Sequence, residues 1–243
     1  MDCKVLLFDI DGTLVRAGGA GRKALNHAAR RLHGKEEVCS EFSLAGRTDL
    51  WNFGRAYALA TGRKATARDI ERLHREYLRL LPRYVRRARR EGSYVLPPGI
   101  KPLLARLSRE PAVLLGLGTG NMERGARIKL EPSGFNGYFR FGGFGSDSLH
   151  RHVILRRALR RAVGLTRGRV RRRDVFVIGD TPFDVAAGKK AGFRTIAVGT
   201  GFASWSSLRR ARPDHLARGF AGIKKWLKWF GIPSRQSGRR PIS

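Results

Sequence analysis

The sequence predicts an α/β fold, a parallel sheet with helices on both faces, carrying an inserted all-helical segment. Three observations predict it. Short apolar runs at residues 5–8, 112–117 and 175–178 each close on turn residues, as strands buried on both faces do. Stretches with apolar residues at helical spacing lie between these runs, as with Ile100, Leu103, Leu104 and Leu107. Residues 35–95 show no strand-like alternation and read as helical throughout, with Trp51, Phe53, Tyr57, Leu73, Tyr77 and Leu81 among the apolar positions.

The first run ends in Asp9-Ile10-Asp11-Gly12-Thr13. Side chains alternate along a strand, so Asp9 and Asp11 can point the same way at its carboxyl end, where open α/β sheets bind ligands. Two carboxylates held together repel unless a cation or a proton separates them. Hard oxygen ligands suit Mg²⁺, which binds through one or two carboxylates plus substrate phosphate. Gly12 permits a turn whose N–H groups face an anion.

After this motif, Gly18, Gly19 and Gly21 make a flexible exit, and Ala24, Leu25, Ala28 and Leu32 recur at helical spacing. Within the insert, Gly46-Arg47-Thr48-Asp49 stands out. Arg47 can fork to a substrate carboxylate or a second anionic group. The same residues also read as a helix start, with Thr48 as N-cap and Asp49 at the positive dipole end, and both readings can hold together. Arginines 86, 87, 89 and 90 suit a helix C-terminus that Gly92 ends. Pro97-Pro98-Gly99 marks the return to the sheet domain.

The second buried strand leads into Gly118-Thr119-Gly120-Asn121. A hydroxyl there can bond a phosphoryl oxygen, and flanking glycines let backbone N–H groups approach. Residues 122–130 read as a helix. The aromatic stretch 135–144 reads as a short strand with its packing, with stacking on bases as the alternative. A helix over 152–163 exposes Arg156, Arg157, Arg160 and Arg161, and residues 167–173 hold a run of arginines. The third strong strand ends in Gly179-Asp180-Thr181-Pro182, with Asp184 one helical turn further on and able to look back at the same place. A further strand lies near 194–198, and a short edge strand near 213–216. Residues 220–230 form a basic amphipathic helix that fits either the last helix of the fold or an anionic membrane surface.

The string at 9–13, with Thr119 and the Gly-Asp-Thr-Pro-x-Asp segment at 179–184, resembles the motifs of the haloacid dehalogenase superfamily, and of its phosphoglycolate-phosphatase-like branch in particular. The resemblance implies a Rossmann-like core over 1–15 and 96–231 and a helical cap over 16–95, while residues 232–243, holding Pro, Ser, Gly and Arg, read as a disordered basic tail. It implies Asp9, Asp11, Thr119 and Arg151 as catalytic residues. Gly12, Arg47, Gly120 and Asn121 are the implied substrate-binding residues. The implied Mg²⁺ site takes Asp9, Asp180, Asp184 and the Asp11 carbonyl. The family's third motif is usually a lysine. Arg151 stands nearest that place, with Lys129 and Arg156 as competitors. The implied function is Mg²⁺-dependent hydrolysis of a small phosphomonoester, phosphoglycolate-like, through an aspartyl phosphate. A nucleotide or nucleic-acid-associated phosphatase and a sugar-phosphate mutase are the rivals.

Composition bounds the remaining partners. Across 243 residues, 50 Lys plus Arg face 19 Asp plus Glu, a formal charge of +31. Such a surface attracts polyanions in a salt-dependent way. The arginines are spread over nearly every helix rather than gathered in one tract, which favours a solvated surface over a nucleic-acid site. No apolar run reaches the ~18 residues of a membrane span. Two cysteines without metal-ligand spacing, and an amino terminus that enters the first strand directly, lead us to expect a cytoplasmic protein without disulfides.

Overall fold

The computed structural model describes residues 3–166 and 170–233. Strand β1 (Lys4–Phe8) is the centre of a six-stranded sheet. It is followed by β2 (Arg16–Ala17), α1 (Ala20–His33), α2 (Asp49–Thr61), α3 (Ala67–Arg90) and β3 (Tyr94–Val95). Then come α4 (Ile100–Leu107), β4 (Val113–Gly118), α5 (Glu123–Leu130), β5 (Phe141–Gly143) and α6 (Arg151–Gly164). The chain closes with β6 (Val175–Gly179), α7 (Pro182–Ala191), β7 (Arg194–Val198), α8 (Trp205–Arg210), β8 (His215–Ala217) and α9 (Ile223–Phe230).

The sheet order is β5-β4-β1-β6-β7-β8, with every neighbouring pair parallel. Strand β1 has β4 on one side and β6 on the other, with Phe8 opposite both Leu117 and Ile178. The chain therefore reverses its direction of travel across the sheet at β1, the switch point where such sheets open a crevice. Residues alternate between the two faces as a doubly covered sheet requires. Leu6, Phe8, Phe176 and Ile178 join one core with α4, α5 and α9. Val5, Leu7, Val175 and Val177 join the other with α6 and α7.

Helices α1, α2 and α3 form a third cluster that includes Leu25, Phe53, Leu73, Tyr77 and Leu81 and extends to Met122 of the sheet domain. The chain enters and leaves this cluster through β2 and β3, which pair antiparallel with Arg16 opposite Val95. The expectation of helix throughout 35–95 is corrected in three places, one being the break at 62–66 between α2 and α3. Residues 34–48 hold only a short 3-10 turn, Val38–Ser40, and Tyr94–Val95 is a strand. Few apolar residues at helical spacing occur in 34–48, and Val38 and Cys39 bury themselves through the 3-10 turn without an α-helix.

Helix α9 places Trp226, Leu227 and Phe230 in the core, where Trp226 stacks on Phe220 at 5.1 Å and Phe230 meets Phe176 edge-on. Its apolar face is thus taken by the fold. Among the described residues, no helix is long and apolar enough to cross a membrane. The expected tail boundary at 232 moves outward, because Ile232 is buried and donates its N–H to the Leu227 carbonyl. Residues 234–243 and 167–169 lie outside the described residues. Several arginines of the basic surface are committed: Arg161 forks onto Asp147 at 2.7 and 2.8 Å, and Arg156 donates to the Lys190 carbonyl. Cys3 and Cys39 are both free and buried.

Truncating Trp226 to alanine removes the largest fully buried side chain of this face and is expected to lower unfolding free energy by about 3–5 kcal/mol. Urea denaturation followed by circular dichroism measures it.

Candidate active site

Parallel pairing brings the motifs together. Asp9 directly follows β1, and its N–H donates to the Ile178 carbonyl of β6 at 2.9 Å. Thr119 directly follows β4, and its N–H donates to Gly143 of β5 at 3.1 Å. Asp180 directly follows β6. Three adjacent strand ends thus deliver three chemically active side chains, all buried.

One half of the site is a carboxylate cluster. Oxygens of Asp9, Asp180 and Asp184 lie within 4.8 Å of one another. Thr181 caps α7, and Asp184 completes the capping box by accepting from the Thr181 N–H at 3.1 Å and hydroxyl at 2.6 Å. The helix-start and site readings of this segment therefore hold together. The other oxygen of Asp184 pairs with Arg151, the first residue of α6, whose guanidinium also stands 3.6 Å from Asp9 Oδ1. Asp180 Oδ2 accepts from the Phe202 N–H at 2.9 Å.

The other half surrounds Asp11. Its Oδ2 accepts from Lys129 Nζ at 2.6 Å and from Asn121 Nδ2 at 2.9 Å. Lys129 also donates to Asn121 Oδ1, and Asn121 donates to the Thr119 hydroxyl. Arg151 thus reaches Asp9, Lys129 reaches Asp11 instead, and Arg156 is exposed on the far side of α6. Asn121 lines the cavity, but its amide is committed to Asp11, Thr119 and Lys129. Gly12 is corrected as an anion donor: at φ +82° its N–H donates to the Val15 carbonyl. A Cβ there would meet the Asp180 carboxylate, so close approach explains the glycine.

A cavity of about 670 Å³ opens over both halves, lined by Asp9, Asp11, Asn121, Lys129 and Arg151 below and by helices α1 to α3 above. The insert is docked down at its rim. The Asp49 N–H donates to the Gly120 carbonyl at 2.7 Å, and the Asp49 carboxylate accepts from the Met122 N–H at 2.8 Å. A Cβ on Gly120 would strike the Arg47 carbonyl. The Arg47 guanidinium sits between Trp51 of α2 and Phe183 of α7, 4.7 and 4.8 Å from their ring centres. Thr48 caps α2, accepting from the Trp51 N–H at 3.4 Å. The Gly-Arg-Thr-Asp string therefore starts a helix and also places Arg47 at the cavity mouth.

Burial dominates the electrostatics. It pushes Asp9 up to about 7, with Asp184 and Asp11 adding to the rise and Arg151 and a Thr119 hydrogen bond opposing it. Asp180 is raised well above the carboxylate range by burial, then by Asp184 and Asp9. Burial takes Asp49 to about 6 against the pull of Lys129. For Lys129, burial works against the charge, but Asp11, Tyr77 and Asp49 outweigh it and hold the ammonium above its ordinary range. Five carboxyl groups, Asp9, Asp11, Asp49, Asp180 and Asp184, thus share the site with two cations, Lys129 and Arg151. Asp9 Oδ1 is buried without a hydrogen-bond partner. An all-oxygen donor set with surplus negative charge and an orphaned carboxylate oxygen fits Mg²⁺.

A family model described as "Haloacid dehalogenase-like hydrolase" matches residues 6–198, spanning the sheet domain and the insert. The chain belongs to the haloacid dehalogenase-like hydrolases. Solved structures share the fold. A predicted phosphatase from Clostridium acetobutylicum superimposes with a TM-score of 0.68 at 18% identity, over 94% of this chain and 98% of that one. A predicted phosphoglycolate phosphatase from Haemophilus somnus gives 0.67 at 19%, over 93% and 98%. CbbY from Rhodobacter sphaeroides, solved in complex with phosphate, gives 0.66 at 22%, over 91% and 96%. No curated protein matches the chain.

In this hydrolase, sequence reasoning placed Lys129 only as a rival to Arg151 and missed its pairing with Asp11. A signal existed, because Lys129 sits on the buried face of α5 with Ala126 and Leu130, where a lysine demands a partner. Asp49 as a docking group and Asn52 and Tyr77 as cavity walls carried no comparable signal.

Asp9 in the folded, metal-free protein binds its proton more tightly than an unfolded aspartate. Its contribution to stability is full below the unfolded pKa of ~3.9 and is lost as pH rises through about 7. With chelator present, lowering pH from about 8 to about 6.5 is expected to raise the urea midpoint, and Asp9→Asn to reduce that slope. An identical slope in the variant contradicts the assignment.

Proposed function

We propose that this hydrolase is a Mg²⁺-dependent phosphatase acting on a small phosphomonoester through an aspartyl phosphate on Asp9. The observation that carries the reading is the pairing of two differently held carboxylates at the cavity floor. Asp9 is buried with a free Oδ1 beside Arg151, and Asp11 is held by Lys129 and Asn121. Family membership raises the expectation and the cavity makes room for the ester. By resemblance, a phosphoglycolate-like compound is the first candidate.

In the mechanism, Asp9 Oδ1 attacks phosphorus and the bond from phosphorus to the leaving oxygen breaks. Asp11 gives a proton to that oxygen, then takes one from the water that attacks the aspartyl phosphate and frees inorganic phosphate. Lys129 and Asn121 both engage Oδ2, which assigns the proton transfers to Oδ1 of Asp11. Thr119 and Arg151 hold the transferring phosphoryl oxygens. Asp9, Asp180 and the Asp11 carbonyl would hold the Mg²⁺. Asp184, already paired with Arg151, would support it from behind. The bound ion supplies charge neutralisation between phosphate and carboxylates. Helices α1 to α3 act as the cap over residues 16–95, and their docking at Asp49 excludes bulk water.

Phosphate release from a phosphomonoester panel tests the reading. Asp9→Asn is expected to lose at least about 10³-fold in kcat, and Asp11→Asn about 10²–10⁴-fold. Chelator is expected to silence the wild type and Mg²⁺ to restore it. Wild-type rates in Asp9→Asn would overturn the nucleophile assignment.

A further inference from the structure

The arginines look dispersed in sequence, but the fold gathers one uncompensated set. Residues 151–173 hold ten arginines and no acidic residue. Helix α3 carries nine arginines too, yet Asp69, Glu71 and Glu76 are interleaved with them, and Glu76 pairs with Arg31 and Arg79. On α6, His152, Arg156 and Arg160 follow at intervals of four, which makes one row along the helix. Arg156 and Arg160 are exposed. The carboxylates of the flanking segments are engaged elsewhere. Asp147 takes Arg157 and Arg161, Asp174 takes Lys4 and Arg171, and Asp184 takes Arg151.

Helix α7 continues the row. The Arg156 guanidinium donates to the Lys190 carbonyl at 2.9 Å, which sets Lys190 beside it. His152 is held below its ordinary range by burial and then by Lys190, Arg156 and His150, so these side chains share one neighbourhood. Past the end of α7, the Arg172 side chain runs by Gly192, its Cδ 3.6 Å from where a Cβ would stand. Among the described residues, Arg156, Arg160, Arg172 and Lys190 have no carboxylate partner. None of the four lines the catalytic cavity. Arg151 stands at the carboxylate cluster, and Arg160 lies about 13 Å further along the helix axis.

The chemistry of the row defines its partner. A guanidinium fork matches two phosphate oxygens at once. Spaced along a rigid helix, such forks fit a regular chain of phosphates rather than a single anion. Duplex nucleic acid offers one charge per ~1.7 Å of its axis, so several of these cations find phosphates together. The exposed aromatic side chains, Trp51, Phe183 and Phe202, gather around Arg47 and the cavity. Bases therefore find no stacking platform on this face, which favours a duplex backbone over a single strand. The apolar face of α6, with Ile154, Leu155, Ala158 and Ala162, is buried in the fold and not free to enter lipid.

We propose that the outer face of α6, continued by Lys190 of α7 and by Arg172, docks the phosphate backbone of a nucleic-acid duplex, independent of base sequence and apart from the catalytic cavity.

Fluorescence anisotropy of a labelled duplex of mixed sequence, as DNA and as RNA, with the full-length protein over a range of salt tests the proposal. The wild type is expected to bind with Kd of about 10⁻⁶–10⁻⁴ M at physiological salt, and the tighter duplex names the natural partner. A variant combining Arg156→Gln, Arg160→Gln, Arg172→Gln and Lys190→Gln is expected to bind at least about tenfold more weakly, with a slope of log affinity against log salt shallower by about 3. A control combining Arg83→Gln, Arg86→Gln, Arg89→Gln and Arg90→Gln removes the same charge from exposed positions of α3 and is expected to keep most of the affinity and slope. Equal losses in the two variants would mean a diffuse charged surface and overturn the proposal. Phenylglyoxal modification of the wild type, read by mass spectrometry, locates the contact without any variant. The duplex is expected to shield Arg156, Arg160 and Arg172 and to leave the α3 arginines reactive, and the reverse pattern or no shielding overturns the assignment. Association with phosphatidylserine vesicles but with neither duplex overturns the choice of partner.

Discussion

Charge imbalance in a buried place governs this molecule. Parallel pairing of β1 with β4 and β6 forces Asp9 and Asp180 out of adjacent strand ends, and the capping box of α7 turns Asp184 towards them. Oxygens of the three lie within 4.8 Å of one another. Two carboxylates at such range cannot both ionise freely in a dry site. Arg151 answers part of the repulsion through Asp184 and Asp9. Burial pushes Asp9 up to about 7, and the repulsion left from Asp184 and Asp11 adds to that rise. A divalent cation would neutralise the surplus and, on the proposed mechanism, leave a carboxylate able to attack phosphorus.

The second carboxylate is kept apart from this cluster by its own cation. Lys129 rises from α5 to Asp11, and Asn121 links that pair to Thr119. The same lysine lies beside Asp49, whose carboxylate ties the insert to the loop after β4. One buried ammonium therefore touches the proposed proton-transfer group, the second motif and the docking of the insert at once. This economy has a physical basis. A buried charge needs several partners, and the strand ends offer only a few places to provide them.

The sequence made the sheet half of this arrangement legible. Asp9, Thr119 and Asp180 each follow a short apolar run at once, and local order alone puts such residues at strand ends. Asp184 was readable from its spacing to Asp180, and α9 from its apolar stripe. What was not legible depends on approach between distant segments. Lys129 and Asp11 are 118 residues apart, and no local pattern says which carboxylate a lysine will choose. The Gly12 N–H looked free for an anion because its acceptor, the Val15 carbonyl, exists only once the turn is formed. Residues 34–48 were read as helix because their neighbours are helices, although they lack the apolar spacing that would hold one. Ile232 looked like tail because a single isoleucine among polar residues carries no period, yet the core had room for it.

The central claim is that the Asp9–Asp180 carboxylate cluster is built for a divalent cation. Calorimetric titration of Mg²⁺ into the folded, chelator-treated protein tests it most directly. The account predicts one ion bound per chain, with binding abolished in Asp180→Asn while the variant keeps its native circular dichroism. Equal binding by wild type and Asp180→Asn, or no binding by the folded wild type, would contradict it.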